Sequence, residues 1–135
     1  MKSPTVELAC IIDDDNIYVK LVKKIIETKK LCKHLMVFSD GKESIDYFEA
    51  LPQNIEENRI PEIIFLDLNM PVMDGWEFLE RFTRIKNRFN KVITIYIVSS
   101  SINPIDIDRA KSLSTVSDYL IKPMKMNEIE AIFEK

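Results

Sequence analysis

The residue with the clearest chemical potential is Asp67, which comes directly after an apolar run at positions 62–66. Pro71 and Gly75 follow soon afterwards and prevent the strand from continuing. A carboxylate at the end of a buried strand is costly to desolvate and packs poorly. In open α/β sheets, however, ligands bind at the carboxyl ends of the strands. Asp67 is therefore predicted to be a functional residue rather than a structural one.

Polar side chains follow three other apolar runs in the same way; they are Asp13 and Asp14, Ser99, and Lys122. Because the carboxyl ends of parallel strands lie along one edge of a sheet, we expect these side chains to converge on Asp67. Carboxylates about 4 Å apart would repel one another by a few kcal/mol per pair at an effective dielectric constant of about 20. A Mg²⁺ ion, which prefers oxygen ligands, and the Lys122 ammonium would offset that repulsion.

With a cation and an ammonium beside it, Asp67 has the surroundings of a nucleophile that forms an aspartyl phosphate. Phosphoryl transfer depends mainly on positioning and on neutralising the charge of the equatorial oxygens, which Lys122, Ser99 and a bound cation would do. Simpler alternatives stay open for the neighbouring acids. Residues 13–15 could form only a solvated turn or a helix cap, and Asp74 could serve only the turn.

Five apolar segments with the length of strands alternate with five segments of helical periodicity. The predicted strands cover residues 8–12, 35–38, 62–66, 92–98 and 118–121. The predicted helices include 42–51, 104–113 and 128–134, and two more begin at about Asn16 and Gly75. Five strand–helix units predict the α/β class, with a doubly wound five-stranded parallel sheet and helices on both faces.

The first helix is predicted to face the core with one stripe of apolar side chains, Ile17, Leu21 and Ile25, with Val22 and Ile26 beside it. The fourth helix is predicted to start with Asn103 as its N-cap and Pro104 in its first turn. Residues 52–61 are polar and acidic and are predicted to form an exposed loop.

The composition is that of an ordinary globular domain. The chain has 135 residues, 46% of them hydrophobic and 30% charged, and its formal net charge is −3. This charge gives no nucleic-acid-binding footprint, and no long apolar segment indicates a signal peptide or a membrane span. Cys10 and Cys32 lack the spacing of metal ligands, so we expect free thiols and a cytoplasmic protein.

Four motifs together resemble those of the receiver domain of two-component response regulators, especially stand-alone receivers of the chemotaxis-regulator type. They are Ile11-Ile12-Asp13-Asp14, the turn at 67–75, Val98-Ser99-Ser100 and Tyr119-Leu120-Ile121-Lys122-Pro123. The resemblance spans about the whole chain and implies the flavodoxin-like strand order 2-1-3-4-5. It also implies a single receiver domain at residues 1–135, with a core at about 5–134 and no output domain.

The resemblance implies a role for each acidic residue of the site. Asp67 would be the phospho-acceptor, and Asp13 and Asp14 would hold Mg²⁺ together with it. The backbone carbonyl of Asn69 would complete the metal site, so that the side chain of Asn69 need not be a ligand. Asp14 would be the more direct ligand of the acidic pair.

The resemblance also implies a switch. Ser99 matches the switch hydroxyl of the family, and Tyr119 matches the aromatic side chain that changes rotamer with it. Lys122 matches the lysine that contacts the phosphoryl group. The peptide bond before Pro123 would be cis. Ser101, two positions after Ser99, would flank the site.

The partners implied by the resemblance are proteins. A sensor histidine kinase or a histidine phosphotransfer protein would donate the phosphoryl group. A downstream protein would bind the face formed by the fourth helix, the fifth strand and the last helix. The domain would catalyse only its own phosphorylation and dephosphorylation, so it is not expected to be a conventional enzyme, and no direct contact with nucleic acid or membrane is expected.

Two other functions remain as alternatives. A degenerate receiver would bind partners without phosphorylation, although the set of site residues here is complete. A small Mg²⁺-dependent phosphatase of the haloacid-dehalogenase type would also use an aspartyl nucleophile. That class normally has a second aspartate two residues after the first, where this chain has Asn69.

Overall fold

The computed structural model describes residues 6–134 and contains five strands that alternate with five α-helices. The strands are β1 (Val6–Ile12), β2 (Cys32–Phe38), β3 (Ile63–Leu66), β4 (Thr94–Ser99) and β5 (Val116–Ile121). The helices are α1 (Asn16–Thr28), α2 (Gly41–Ala50), α3 (Gly75–Ile85), α4 (Pro104–Lys111) and α5 (Met126–Glu134). Residues 1–5 and 135, which the predicted domain includes, lie outside the described residues.

The five strands form one parallel sheet in the order β2-β1-β3-β4-β5. This arrangement confirms the predicted α/β class and the strand order 2-1-3-4-5. The helices between the strands return the chain to the amino-terminal edge of the sheet. All five strands therefore run in the same direction, and their carboxyl ends lie along one edge.

The sheet separates two hydrophobic cores, because successive side chains of a strand point to opposite faces. On β3, Ile64 and Leu66 pack in the core that α2 and α3 cover, whereas Ile63 and Phe65 pack in the core that α1 and α5 cover. The aromatic rings at the centre of the first core are those of Phe48, Phe78 and Phe82. β3 is buried on both faces, which is why its sequence is apolar without interruption.

The predicted core face of α1 is confirmed for Val22 and Ile26 and is wrong for Ile17 and Leu21. Ile17 is 84% exposed and Leu21 is 54% exposed. Ile25 is half-buried against the core, and the helix also buries the side chains of Tyr18 and Val19, which were not predicted to face it. Apolar residues occupy so much of this helix that its periodicity allows two neighbouring stripes, and packing against the sheet decides between them.

The exposed loop predicted at 52–61 is only partly exposed. It contains a single 3₁₀ turn at Glu57–Arg59, and the side chain of Ile60 is buried. The Lys91 ammonium donates to the backbone carbonyls of Glu57 at 2.7 Å and Ile60 at 2.9 Å. These bonds attach the loop to the segment before β4, a long-range contact that the local sequence does not reveal.

The observed starts of four strands differ from the predicted starts by two or three residues. β2 and β5 begin three and two residues earlier than predicted, at Cys32 and Val116. They lie at the two edges of the sheet, where one side faces solvent, so their sequences lack a continuous apolar run. Among the central strands, β1 begins two residues earlier than predicted, at Val6. β4 begins two residues later than predicted, at Thr94, and Val92 is 85% exposed.

Both cysteines are free, as predicted. Cys10 is buried in β1 and Cys32 is half-buried in β2. Burial raises the pKa of the Cys32 thiol to about 11 and raises the pKa of the Cys10 thiol further. Neither side chain is therefore a thiolate near neutral pH. No helix within residues 6–134 is long and apolar enough to cross a membrane.

Candidate functional site

The carboxyl edge of the sheet brings together the polar residues that follow the strands. Backbone hydrogen bonds continue the parallel ladder for one residue beyond the strand ends, so the backbone at these positions is fixed. The N–H of Asp67 donates to the carbonyl of Ile12 at 2.9 Å, and the N–H of Lys122 donates to the carbonyl of Ser99 at 2.9 Å. Asp13, Asp14 and Lys122 converge on Asp67 as predicted, and Ser99 ends β4, the neighbouring strand of β3.

An acidic cluster lies at the centre of this edge. Carboxylate oxygens of Asp13, Asp14 and Asp67 all lie within 4.8 Å of one another. Asp13 is 3% exposed and Asp67 is 6% exposed, whereas Asp14 is open to solvent. Asp13 Oδ1 also accepts the backbone N–H of Asp15 at 2.9 Å, which fixes the orientation of that carboxylate.

In the part of the chain that the structure describes, one ammonium pairs with this cluster. Lys122 Nζ lies 2.8 Å from Asp13 Oδ2 and 3.6 Å from Asp67 Oδ1, and its side chain is 14% exposed. The peptide bond between Lys122 and Pro123 is cis, as the resemblance implies. Because three carboxylates face one ammonium, the site retains negative charge.

The electrostatics of Asp67 reflect this excess of negative charge. Burial, and then the charge of Asp13, raise the pKa of the Asp67 carboxyl from 3.8 to about 6. Lys122 and the backbone N–H of Asn69 act in the opposite direction but do not compensate fully. A cluster of carboxylate oxygens with incomplete charge compensation fits a hard divalent cation such as Mg²⁺. Whether the Asn69 carbonyl would join such an ion stays a prediction.

Ser99 and Tyr119, the predicted switch pair, are connected through Ser101. Ser99 is fully buried, and its Oγ accepts the backbone N–H of Ser101 at 3.1 Å. The Tyr119 hydroxyl donates to the backbone carbonyl of Ser101 at 2.8 Å. The ring of Tyr119 is buried in this structure, so a change of its rotamer stays a prediction.

Ser101 also contacts α4, a role that the sequence analysis did not assign to it. Its Oγ donates to Asp106 Oδ2 at 2.7 Å and accepts the backbone N–H of Asn103 at 3.2 Å. Asn103 caps α4 as predicted, with its side chain accepting the N–H of Ile105. The one local signal for this connection is a serine close to a helix cap, which is too common to have identified it.

The family model of the response regulator receiver domain matches residues 9–134. The chain belongs to this family. A two-component response regulator from Cytophaga hutchinsonii shares 27% sequence identity and a TM-score of 0.78 with this receiver, covering 94% of this chain and 93% of the other.

Two curated relatives match this receiver over most of their length. The probable methanogenesis regulatory protein FilR2 of Methanothrix harundinacea is 26% identical over 125 residues, which are 93% of this chain and 77% of FilR2. Response regulator Rcp1 of Synechocystis is 25% identical over 119 residues, covering 88% of this chain and 78% of Rcp1. In contrast, the chain spans 46% of GraR of Staphylococcus haemolyticus and 7% of hybrid signal transduction histidine kinase L of Dictyostelium discoideum.

Two acidic side chains near the receiver site, Asp15 and Asp74, are helix caps, in agreement with the simpler alternatives given for the acids of these turns. Asp15 caps α1 by accepting the N–H of Tyr18 at 3.1 Å, and Asp74 caps α3 by accepting the N–H of Glu77 at 2.9 Å. An N-cap carboxylate satisfies a backbone donor that the helix leaves free. The caps therefore fix where α1 and α3 begin, directly beside the acidic cluster.

Gly75 allows α3 to start close to the backbone of Asp67. A Cβ atom at position 75 would lie 2.5 Å from the carbonyl oxygen of Asp67 and 2.9 Å from the Cα of Leu68. Both atoms belong to backbone, which cannot rotate away as a side chain would. The Gly75 N–H donates to the Leu68 carbonyl at 2.9 Å, so the close approach is part of the turn itself.

Gly75→Ala is expected to destabilise this receiver by about 2–3 kcal/mol, because the new methyl group would displace the backbone that carries Asp67. Helix propensity alone predicts the opposite sign, a gain of about 0.5–1 kcal/mol. Urea unfolding followed by circular dichroism distinguishes the two. Glu77→Ala, at an exposed position in the first turn of the same helix, is the control and should cost no more than about 1 kcal/mol, through the loss of a negative charge near the helix N-terminus. A more stable Gly75→Ala protein would contradict the steric argument.

Proposed function

We propose that this receiver accepts a phosphoryl group on Asp67 from a phosphohistidine of a sensor histidine kinase or histidine phosphotransfer protein in the cytoplasm. The observation that carries the proposal is the buried Asp67 carboxylate, which lies within 4.8 Å of carboxylate oxygens of Asp13 and Asp14 and 3.6 Å from the Lys122 ammonium at the carboxyl edge of the sheet. Free thiols at Cys10 and Cys32 support the location, since disulfides are rare in the cytoplasm.

The acidic cluster would hold the Mg²⁺ ion that the reaction needs. Carboxylate oxygens of Asp13, Asp14 and Asp67, with the backbone carbonyl of Asn69, are the proposed ligands. The ion would supply neutralisation of the charge on the transferred phosphoryl oxygens. Its binding is supported by the excess of three carboxylates over one ammonium, which makes the cation-free site electrostatically unfavourable.

In the proposed transfer, an oxygen of the Asp67 carboxylate attacks phosphorus while the phosphorus–nitrogen bond of phosphohistidine breaks. The products are an acyl phosphate on Asp67 and an imidazole that leaves with its electron pair and takes up a proton. Lys122 and Ser99 are the side chains proposed to contact the phosphoryl oxygens. Attack by water on the phosphorus would later break its bond to the Asp67 oxygen, which releases inorganic phosphate and restores the free carboxylate; this is the self-catalysed dephosphorylation.

The added charge would then change contacts at the site. A phosphoryl group brings a charge close to −2 and strong acceptor oxygens. Ser99 Oγ accepts the N–H of Ser101, so a shift of the Ser99 hydroxyl towards the phosphoryl oxygens, to which it would donate, would also act on Ser101. Ser101 in turn contacts both Tyr119 and Asp106, so its movement would disturb β5 and α4 together.

The proposed output is a change of the surface made by α4, β5 and α5. This face exposes apolar side chains: Ile105 is 74% exposed, Ile121 is 39% exposed and Met126 is 48% exposed. Exposed apolar side chains on a small domain favour contact with another protein. A downstream protein that binds this face in one phosphorylation state is therefore the proposed target.

The experiment that tests the proposed function is incubation with acetyl phosphate and Mg²⁺, followed by mass spectrometry of the intact protein and its peptides. One added phosphoryl group, mapped to Asp67 and removed by hydroxylamine, is the expected result. A phosphoryl group on another residue would refute the assignment. If the protein takes up no phosphoryl group but still binds a partner tightly, the degenerate receiver is supported. If it hydrolyses general phosphate esters with turnover, the phosphatase is supported.

A further inference from the structure

Tyr18 on α1 lies directly against the lysine of the site. Lys122 Nζ is 4.8 Å from the centroid of the Tyr18 ring, within the range of a cation–π interaction. The Tyr18 hydroxyl accepts the backbone N–H of Met124, two residues after Lys122, at 3.4 Å. We propose that Tyr18 is a positioning residue, whose ring holds the Lys122 ammonium between Asp13 and Asp67 for phosphoryl transfer. This inference rests on the proposed function of Asp67 and Lys122.

The position of Tyr18 is itself fixed from the acidic cluster. Asp13 Oδ1 accepts the N–H of Asp15, and Asp15 Oδ1 accepts the N–H of Tyr18. The Tyr18 ring then contacts Lys122, and the Lys122 ammonium returns to Asp13 Oδ2 at 2.8 Å. The four residues form a closed circuit of contacts, so the start of α1 and the end of β5 are held in one arrangement.

A lysine needs such support at this site more than an arginine would. Its ammonium is a compact charge on a flexible four-carbon stem, without the planar geometry that orients a guanidinium. Lys122 Nζ is closer to Asp13 than to Asp67, at 2.8 Å against 3.6 Å. Without a third contact, the ammonium could pair with Asp13 alone or extend into solvent, and would then leave Asp67. The Tyr18 ring, which is 9% exposed and whose centroid lies 4.8 Å from Lys122 Nζ, supplies this third contact.

Substitutions of Tyr18 can separate the contribution of its ring from the contribution of its hydroxyl. Tyr18→Phe keeps the aromatic face and loses the hydrogen bond to Met124. Tyr18→Leu loses both the aromatic face and the hydrogen bond. If this variant does not fold, Tyr18→Met is used in its place, because methionine is unbranched and adapts to irregular gaps in a core. Tyr96→Leu is the matched control, because Tyr96 is a buried tyrosine in the same core that packs on Phe65.

Two measurements are made on each protein. The first is the ring-current shift of the Lys122 ε-methylene protons by NMR, without metal or phosphate. The second is the rate of phosphoryl uptake from acetyl phosphate with Mg²⁺. Urea unfolding gives the stability of each protein, so that a loss of rate can be told apart from a loss of folding. Wild type and Tyr18→Phe are expected to show an upfield shift and rates that agree within about twofold, whereas Tyr18→Leu loses the shift and reacts about tenfold more slowly. Tyr96→Leu is expected to lose stability while keeping both the shift and the rate.

Several results would overturn the inference. Tyr18→Leu reacting as fast as Tyr96→Leu would show that the ring does not position Lys122. Tyr18→Phe reacting as slowly as Tyr18→Leu would assign the effect to the hydroxyl and not to the ring. Unshifted ε-methylene protons in the wild type would show that the contact is absent. If the wild type takes up no phosphoryl group, the proposed function fails and the role of Tyr18 in transfer fails with it, whatever the shift.

Discussion

Asp67→Asn is expected to abolish phosphoryl uptake and, in the metal-free protein at about pH 8, to raise the free energy of unfolding by about 1–2 kcal/mol. The loss of uptake follows because an amide cannot act as the nucleophile that a carboxylate provides. The gain in stability follows because the substitution removes one charge from a buried cluster of three carboxylates. Lys122 would then pair with Asp13 without competition.

The pH dependence of this gain has a definite sign. Burial and the charge of Asp13 raise the pKa of Asp67 to about 6 in the folded protein, against 3.8 for the ordinary side chain. Between these values the folded state holds a proton that the unfolded state has released, so the wild-type stability falls as the pH rises. The difference between Asp67→Asn and the wild type should therefore be largest above pH 6 and vanish below about pH 4.

Urea unfolding at several pH values and mass spectrometry after acetyl phosphate treatment measure the two effects. Asp74→Asn is the matched control, because Asp74 only caps α3 and asparagine is an equally good N-cap. That control should keep both phosphoryl uptake and stability. Mg²⁺ should raise the stability of the wild type more than that of Asp67→Asn. An Asp67→Asn protein that still takes up phosphate, or that is less stable than the wild type at about pH 8, would contradict the assignment.

The two opposite effects of one substitution have a common cause. In natural proteins the residue at each position usually favours the fold, and the exceptions are expected at functional sites. A cluster of buried like charges is such an exception. Asp13 and Asp67 are both nearly excluded from solvent and share one ammonium. This arrangement is unfavourable for folding, but it creates the affinity for a cation and for the phosphoryl group that the proposed function needs.

The sheet and the site of this receiver were predictable for the same physical reason. Central strands are buried on both faces, so β1, β3 and β4 have apolar sequences that end where a polar residue begins. The residue after each of these runs lies at the carboxyl edge, and a parallel sheet places all of them on one line. Asp13 and Asp67 could therefore be placed together without knowledge of any contact.

What the sequence could not provide was the phase of helices and the contacts between elements. Ile17 and Tyr18 are neighbours in an apolar segment, and only packing on the sheet determines that Tyr18 is buried and Ile17 is exposed. The contact of Tyr18 with Lys122 joins residues more than a hundred positions apart, so no local pattern indicates it. The hydrogen bond between Ser101 and Tyr119 also joins two different elements, whereas the bond of Ser101 to Asp106 is local but has only a common serine near a helix cap as its signal.

Lys122→Met is expected to reduce phosphoryl uptake about a hundredfold and to destabilise the metal-free protein by about 2–4 kcal/mol at about pH 8. Uptake falls because the variant lacks the ammonium proposed to neutralise the phosphoryl oxygens. Stability falls because Asp13 and Asp67 lose the cation that lies 2.8 Å and 3.6 Å from their oxygens. Since Lys122 lowers the pKa of Asp67, its removal raises that pKa above the wild-type value of about 6. The loss of stability should therefore shrink as the pH falls and Asp67 takes up a proton.

Lys91→Met is a closely matched control for the loss of a buried lysine. The side chain of Lys91 is also 14% exposed, but its ammonium binds the carbonyls of Glu57 and Ile60, away from the acidic cluster. Lys91→Met should lose stability and keep the wild-type rate of uptake, measured with acetyl phosphate and Mg²⁺. If both variants lose the same fraction of the rate, the effect of Lys122 is one of folding and not of charge at the site. If Lys122→Met keeps the wild-type rate, the ammonium does not contact the phosphoryl group during transfer, and the positioning role of Tyr18 has no basis.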